Sequence, residues 1–386
     1  TLAAAAQPQV EPMPRKEAAS WLAKIHRAAL KQNYVGTLTY QRGTGMHSTR
    51  IQHYADLFNN EYERVEALDG KQREMLRQND VVRNLIYDVK LVVTEKQEHK
   101  DSFPALLATT NGDVLDQYDM RHLPSERVAG MDCEVFQLDP KDGFRYAYRI
   151  WADRNSGLLM RAQTVGDDGK VLEQVAFSQV EVGVPSEKQK IIAALKNLSG
   201  WNQYEIVTQP TNLADQGWTI GTPIKGFQKI REVRRPLGDI APAGKGSSSF
   251  EVQQVVFSDG LAGLSLFIEP VSEKRTRREG FISQGATHVM VRRIADFWLT
   301  VVGEVPFATI RSGSARGTSM PALRPAISRR NPRLRSVSTM WPSTSRTAAI
   351  WPSGSSSLPS TTWQMRSDCA TSSSVERKAS TSWCGR

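Results

Sequence analysis

Cysteine is scarce in this chain, and its spacing gives no metal or redox motif. Only three cysteines occur in 386 residues and no two form a CxxC pair, which excludes a zinc ribbon and a thioredoxin-like site. The six histidines show no ligand spacing, and the chain has no G-x-S-x-G elbow, Walker loop or HExxH motif. We therefore predict that the protein is not an enzyme and needs neither a metal nor a cofactor.

Long apolar runs are missing as well. No stretch reaches the ~18 consecutive apolar residues that would span a bilayer. The chain begins TLAAAAQPQV, and an alanine run before Gln-Pro is typical of the end of an export signal and its cleavage site. We predict that residues 1–13 are the remnant of such a signal or, alternatively, a flexible N-terminus.

Acidic residues are scarce only at the end of the chain. The net charge of +10 suggests by itself a partner such as nucleic acid or a membrane surface. Residues 312–386, however, carry eleven Lys and Arg against Asp368 and Glu376, while the rest of the chain has 39 basic and 38 acidic side chains. We therefore predict no nucleic-acid partner. Because residues 312–386 are serine-rich and lack apolar periodicity, we predict that this tail is disordered or non-native, as after a reading-frame slip.

The most informative pattern is a run of three strands near the middle of the chain. Residues 146–151 alternate between two faces, which is the period-2 pattern of a β-strand. An Asp-Arg-Asn-Ser-Gly turn follows at 153–157, a second strand at 158–164, an Asp-Asp-Gly turn at 167–169 and a third strand at 171–182. We predict an antiparallel meander, a structure that can wrap around an apolar space.

One helix and a series of short strands precede the meander. Trp21, Ile25 and Ala28 form the apolar face of a helix predicted from Pro14 to Lys31. Strands joined by Asp-Gly and Asn-Asp turns are expected after it. They are predicted at 34–40, 48–55, 61–68, 73–78, 81–87, 89–95, 126–129 and 132–138. Residues 14–183 are thus expected to form one domain, a curved antiparallel sheet half closed over a helix, because closure hides sheet edges.

A second domain is predicted after a helical connection at 184–208. Ser186 and Gln189 form a capping-box pattern at the start of this helix, which either links two domains or adds a layer to the first. Residues 209–311 show strand patterns separated by a Gly- and Ser-rich loop and a basic loop. These strands are predicted at 218–224, 227–235, 251–258, 264–269, 288–294 and 297–304. The predicted fold class is α+β, with a curved antiparallel N-terminal sheet over helices and a smaller C-terminal α+β domain with an antiparallel sheet.

Several segments resemble a known protein family. The runs YRIWADRNSGLLMRAQ (148–163) and LEQVAFSQV (172–180) are similar to a hairpin shared by the lipoprotein carrier LolA and the RseB/MucB family of sigma-E regulatory proteins. The runs PIKGF (223–227), FSDGLAGLSLFIEP (257–270) and TVVGEVP (300–306) are similar to the RseB/MucB C-terminal domain, which the carrier lacks. The chain is therefore identified as a member of the RseB/MucB family over most of its length.

This resemblance implies a LolA-like half-barrel that binds lipid and a C-terminal domain that binds an anti-sigma factor. It implies a periplasmic negative regulator of the envelope-stress response that binds the periplasmic region of an RseA/MucA-type anti-sigma factor. The regulator would protect that factor from site-1 proteolysis and be released by lipid or lipopolysaccharide. A periplasmic lipid or lipoprotein carrier of the LolA type is the alternative, and a homodimer is possible.

Two sets of candidate site residues follow. The curved sheet is expected to line an apolar cavity suited to acyl chains, although the same side chains could also form an ordinary core. The candidate lining residues are Leu38, Tyr40, Tyr87, Phe136, Tyr148 and Trp151. In the second domain, a tight turn followed by a strand is expected to present apolar side chains beside a sheet edge, where an extended peptide can add. The candidate partner-binding residues are Asp259, Gly260, Leu261 and Phe267.

Overall fold

The structure, a computed structural model, describes residues 11–97, 103–105, 114–219, 224–237, 250–272, 277–312 and 324–325. Two large sheets contain most of these residues, and we refer to them as the N-terminal sheet and the C-terminal sheet. Within these ranges, no helix is both long enough and apolar enough to cross a membrane.

The N-terminal sheet has twelve strands. They are β1 Tyr34–Arg42, β2 Gly45–Ala55, β3 Glu61–Ala67, β4 Arg73–Gln78, β5 Val81–Ile86, β6 Leu91–Lys96, β7 Tyr118–Val128, β8 Met131–Pro140, β9 Ala147–Asp153, β10 Leu159–Val165, β11 Val171–Val182 and β12 Asn202–Ile206. The order across the sheet is β12-β6-β5-β4-β3-β2-β1-β11-β10-β9-β8-β7. All neighbours are antiparallel except β12 and β6, which are parallel. The sheet therefore runs from β12 at one edge to β7 at the other.

The strands predicted for this region all occur. Strand β12 was not predicted, because it lies in the segment 184–208 that was predicted as a helical connection. Among the predicted strands, the main difference lies in β7. This strand begins at Tyr118, eight residues before the predicted start at 126. Tyr118 and Met120 are buried, whereas the second half of the strand is mostly exposed. Only the first half of this edge strand alternates between buried and exposed residues. That alternation covers too few residues to be recognised from sequence.

Two helices lie on the concave side of the N-terminal sheet. Helix α1 (Arg15–Lys31) buries Ile25 and Ala28, as predicted, and Trp21 contacts Phe136 of β8 with ring centroids 5.0 Å apart. Helix α2 (Val114–Gln117) is one short turn before β7. These helices and the concave side of β1, β2 and β7–β11 enclose the main apolar cluster of the protein.

Helix α3 (Lys188–Lys196) is the predicted helical connection, and it forms a layer on the sheet. Its residues Ile191 and Leu195 are buried against a cluster that includes Tyr54 and Leu76. The predicted Ser186 capping box is wrong, because the helix begins after Glu187 and its start has no side-chain cap hydrogen bond. Of the two roles left open by the sequence, the structure shows the additional layer.

The C-terminal sheet has seven strands in the order β13-β15-β16-β17-β20-β19-β18. The strands of this part of the chain are β13 Gln209–Pro210, β14 Trp218–Thr219, β15 Gln228–Leu237, β16 Phe250–Ser258, β17 Gly263–Pro270, β18 Gly280–Gln284, β19 Thr287–Ile294, β20 Phe297–Gly303 and β21 Arg324–Pro325. The two short strands β14 and β21 pair with each other outside this sheet. Helix α4 (Phe307–Ser312) follows β20.

Five of the six strands predicted for this region are confirmed, and the sixth is found only in part. Of the strand predicted at 218–224, the described residues Trp218 and Thr219 form β14. Ile224 instead lies in a turn, in which its carbonyl accepts a hydrogen bond of 3.0 Å from the backbone N–H of Phe227. Strand β18 was not predicted, since all of its residues are exposed and show no alternation in burial.

Three sequence predictions fall largely outside the described residues. They concern the N-terminal segment 1–13, the Gly- and Ser-rich loop at 238–249 and the tail from 312 onward, of which the structure describes residues 11–13, Ser312 and β21. Within the described ranges the fold class is confirmed: a large curved antiparallel-rich sheet with few helices, followed by a smaller antiparallel sheet.

Candidate functional site

Four of the six candidate lining residues share the concave face of the N-terminal sheet. Residues directly opposite each other on paired strands point to the same face, and the pairings run from Tyr40 through Val175, Ala162 and Ile150 to Phe136. Leu38 and Tyr148 lie two residues from members of this row and therefore also point to this face. We call Leu38, Tyr40, Phe136 and Tyr148 the concave-face residues; all four are buried.

Trp151 does not belong with the concave-face residues. It lies three positions after Tyr148 in a regularly paired strand, so its side chain points to the opposite face. Its indole Nε1 donates a hydrogen bond to Glu126 Oε2 at 2.9 Å, and the guanidinium of Arg161 stacks on its ring at 4.9 Å. Trp151 is nevertheless buried and belongs to the same apolar cluster as the four concave-face residues, although its side chain points away from their face. This orientation does not support the prediction that it lines a common cavity.

Tyr87 is also separated from the concave-face residues. It lies in the turn between β5 and β6, next to the cluster under α3, and its ring meets the edge of Trp201 with centroids 5.0 Å apart. Its hydroxyl donates a hydrogen bond to Glu74. Because this cluster lies on the other side of the sheet from α1, Tyr87 cannot line a space shared with Tyr40 or Phe136.

Asp259 lies in a buried ion pair between the two sheets. The Nε of Arg145, just before β9, is 2.5 Å from Asp259 Oδ2, and neither side chain is exposed to solvent. Tyr118 donates its hydroxyl to the same oxygen at 3.2 Å, and Asp142 contacts the guanidinium from the other side. The prediction that Asp259 contacts a partner protein is therefore wrong, because the carboxylate is enclosed between the two parts of this chain.

The ion pair at Arg145 is electrostatically favourable. Burial by itself lowers the pKa of Arg145, but the nearby carboxylates of Asp259 and Asp142 raise it by more, so the pKa lies above its ordinary value. Burial, followed by the Asp259 charge, also raises the pKa of Tyr118. The attraction between the partners thus outweighs the cost of removing the guanidinium from water.

The other predicted partner-binding residues are positioned by the same turn. Gly260 adopts a φ of +100°, which glycine tolerates, and the turn lets Asp259 Oδ1 accept a hydrogen bond from the backbone N–H of Leu261 at 2.9 Å. Leu261 packs against the main apolar cluster of the N-terminal sheet. Phe267 is buried on β17, which is paired on both sides and offers no edge for a peptide. The tight turn and the strand after it occur as predicted, but none of the four residues lies beside a free sheet edge.

The ion pair of Arg145 and Asp259 is the first of three contacts between the two sheets, which we call junctions. The second junction joins the concave face to the C-terminal sheet. Glu173 on β11 accepts a hydrogen bond from the hydroxyl of Tyr40 at 2.7 Å and from the backbone N–H of Ala286 at 3.0 Å. Gly285 packs directly against Glu173 and Arg42, where any side chain would collide with them. Since Tyr148 also lies against Tyr118, with ring centroids 6.1 Å apart, two concave-face residues are directly connected to the junctions.

We expect stability to depend on pH through Glu173. Burial raises the pKa of this carboxyl, although its hydrogen bonds and Arg42 act in the opposite direction. A raised pKa stabilises the folded state below the unfolded pKa, and this contribution is lost as pH rises through the folded pKa. Glu173→Gln keeps an acceptor but cannot ionise, so it should become more stable relative to wild type as pH increases.

Urea unfolding between about pH 4 and pH 8 measures this effect, since glutamate in an unfolded chain titrates near pH 4.3. Glu181→Gln, on the exposed side of the same strand, is the matched control, because it makes the same substitution without removing a buried carboxyl. A Glu173→Gln variant whose stability difference from wild type did not change with pH would contradict the role of the buried charge.

A third junction contains the ion pair between Glu95 of β6 and Arg235 of β15. Their nearest atoms are 3.3 Å apart, and both side chains are fully buried. Burial raises the pKa of Glu95 despite the nearby Arg235 charge, and burial lowers the pKa of Arg235 despite Glu95. Both directions indicate that here the cost of burial exceeds the attraction.

Five residues of these junctions were not predicted from sequence: Tyr118, Arg145, Glu173, Glu95 and Arg235. Each lies in or next to a strand, where single charged or phenolic residues are common on the solvent side. Their partners are far away in sequence, for example 114 positions between Arg145 and Asp259. No local signal identifies such pairs, so only the arrangement of the two sheets reveals them.

Two family models match the chain in consecutive segments. The model of the MucB/RseB N-terminal domain matches residues 17–195, and that of the MucB/RseB C-terminal domain matches residues 212–315. The first segment contains β1–β11, α2 and nearly all of α1 and α3, and the second contains β14–β20 and α4. Together the two models cover most of the chain.

Named relatives and a solved structure agree with this assignment. The sigma-E factor regulatory protein RseB of Escherichia coli (strain K12) is 25% identical over 291 residues, 75% of this chain and 87% of that protein. The sigma factor AlgU regulatory protein MucB of Pseudomonas aeruginosa is 26% identical over 310 residues, 76% of this chain and 88% of that protein. In the solved structure of the Pseudomonas aeruginosa MucA/MucB complex, one chain aligns with a TM-score of 0.59 at 22% identity, covering 81% of this chain and 100% of that chain. This structural similarity shows a common fold.

Proposed function

The chain belongs to the MucB/RseB family, and on that premise we propose that it is a periplasmic negative regulator of an envelope-stress sigma factor. In this proposal the protein binds the periplasmic region of an RseA/MucA-type anti-sigma factor and shields it from site-1 proteolysis. Its role is binding rather than catalysis. The observation that carries the proposal is the match to both family domains, in order, across most of the chain.

The outer edge of the C-terminal sheet is the best surface for the partner in this proposal. Strand β18 is the last strand of that sheet, and its described neighbour is β19 alone. All five of its residues are exposed, including Phe281 and Ile282. An extended segment of the anti-sigma factor can add to such an edge through backbone hydrogen bonds, with apolar side chains giving specificity. This edge replaces the interior strand that carries Phe267.

The concave-face residues are the proposed lipid site. An acyl chain entering between α1 and the sheet would displace packing such as the contact of Trp21 with Phe136, and would gain about 0.8 kcal/mol for each methylene buried. Tyr40 and Tyr148 connect this face to the two junctions through Glu173 and Tyr118. Lipid binding would therefore disturb the contact between the two sheets, which supports release of the partner by lipid.

Titrating the chain with the periplasmic fragment of the anti-sigma factor from the same genome tests this function. We expect binding, and weaker binding when a lipid A fragment is present, because a ligand shifts an equilibrium only if it prefers one of the two states. Linkage requires the anti-sigma fragment to weaken lipid binding by the same factor. Ile282→Lys should weaken the complex at least tenfold, since a lysine on an edge strand blocks strand addition. Val171→Lys, on an exposed position of the N-terminal sheet, is the control.

The same titration separates the two functions considered from sequence. Lipid binding and transfer between membranes without any binding of the anti-sigma fragment would reject the regulator and favour a carrier of the LolA type. Binding of the fragment with equal affinity in the presence and absence of lipid would keep the regulator but remove release by lipid.

A further inference from the structure

Two large apolar side chains project together from the turn between β2 and β3. Leu57 is 99% exposed and Phe58 is 85% exposed, more than any other large apolar residue of the described chain. Single exposed apolar residues are common on protein surfaces and need no explanation. Two adjacent ones at the end of a projecting hairpin are different, because they form a convex apolar point that no other described part of the chain covers.

The turn that carries these residues is held in one conformation. Asp56 Oδ1 accepts hydrogen bonds from the backbone N–H groups of Phe58 and Asn60, each at 2.9 Å, and Asp56 Oδ2 accepts one from Lys188 Nζ at 2.9 Å. Asn59 adopts a left-handed φ of 63°. Since the carboxylate is used internally and neutralised by Lys188, the turn presents its apolar side chains without adding a free negative charge.

Basic residues surround the apolar point on the side of α1. Lys31 Nζ, at the end of this helix, bonds Asn59 Oδ1 at 2.8 Å. Arg27 lies one helical turn earlier on the same face, and it is exposed. Arg27 and Lys31 are the two basic residues at the end of α1 beside the turn, and the single acidic residue of the helix, Glu17, lies in its first turn. The apolar point is thus bordered by positive charge.

We propose that the Leu57–Phe58 turn docks the protein on an anionic phospholipid bilayer. Apolar side chains enter the boundary between headgroups and acyl chains, and adjacent cations attract anionic lipids. A convex point fits a fluid bilayer without needing a preformed pocket. Arg27 and Lys31 lie where the phosphates of such lipids would meet the end of α1. This membrane site lies outside the concave face and goes beyond the proposed regulation of the anti-sigma factor.

A tryptophan placed in the turn reports insertion directly. In the full chain carrying Phe58→Trp, vesicles of phosphatidylglycerol should shift the added emission to the blue, and brominated acyl chains should quench it; the spectrum of the wild type, with its nine tryptophans, is subtracted. Val171→Trp is the matched control, because Val171 is 48% exposed at the start of β11, beside an acidic turn. Added emission from Phe58→Trp that stayed unshifted and unquenched would overturn the proposal.

Co-sedimentation with vesicles measures the two contributions separately. Leu57→Ser with Phe58→Ser should weaken binding to phosphatidylglycerol vesicles by on the order of a hundredfold, the factor expected for two apolar side chains. Arg27→Gln with Lys31→Gln should weaken it roughly fivefold for each cation removed and abolish the preference over phosphatidylcholine vesicles. Circular dichroism confirms that these surface variants are folded. The proposal is overturned if the serine variant binds vesicles as well as the wild type does. It is also overturned if the wild type does not bind vesicles and the serine variant loses binding to the anti-sigma fragment, because the turn would then contact that protein.

Discussion

Asp259→Asn is expected to lower the unfolding free energy by about 3 kcal/mol, because it leaves a buried guanidinium without its main counter-charge. The amide has the same shape as the carboxylate and still offers an oxygen to the backbone N–H groups of Leu261 and Ala262, so the turn itself is retained. What is lost is the charge that raises the pKa of Arg145 above its ordinary value despite burial. Asp142 remains beside Arg145 and keeps the loss from being larger.

Urea unfolding followed by circular dichroism measures this loss, and the shape of the transition provides a second readout. Since Arg145 directly precedes a strand of the N-terminal sheet and Asp259 directly follows a strand of the C-terminal sheet, weakening their contact should also separate the unfolding of the two sheets into two steps. Asp116→Asn is the control: its pair with Arg15 is exposed, with 57% and 54% of the side chains accessible, and should change stability by at most about 0.5 kcal/mol. A similar small effect at Asp259 would mean that the ion pair does not hold the sheets together.

The strands of this protein could be predicted because their pattern is local. In β1, Tyr34, Leu38 and Tyr40 alternate with less buried residues, and the structure places all three on one face. Strand β18 was missed for the opposite reason. All of its residues are exposed, so its sequence does not alternate between apolar and polar residues as a half-buried strand does. The capping box at Ser186 failed since a cap depends on where the backbone enters the helix, and α3 begins one residue later, after Glu187.

The candidate site was predicted less well because it depends on which face and which sheet a residue belongs to. Tyr148 and Trp151 are both large and aromatic, and only the strand period separates them onto opposite faces. Asp259 and Gly260 were correctly expected to form a tight turn, but sequence could not show that this turn enters the N-terminal part of the chain. Its contacts with Arg145 and Tyr118 span more than one hundred positions, and pairs at such separations leave no local pattern.

The Glu95–Arg235 pair is expected to respond to substitution in the opposite way from Arg145–Asp259. Burial dominates both of its pKa values, raising that of Glu95 and lowering that of Arg235. An ion pair whose burial cost exceeds its attraction can be replaced by apolar residues of similar volume with no loss, or with a gain of about 1–4 kcal/mol. We therefore expect Glu95→Leu combined with Arg235→Met to be at least as stable as the wild type.

The single variants complete this double-mutant cycle. Glu95→Leu alone leaves Arg235 charged and buried, with Gln254 as a distant hydrogen-bond partner at 3.4 Å, and should cost about 3–5 kcal/mol. Adding Arg235→Met should recover that loss, which corresponds to a large coupling energy between positions on different sheets. Urea unfolding of all four proteins measures the cycle. A double variant that was less stable than the wild type would show that the buried charges stabilise this junction, as we expect them to do at Arg145.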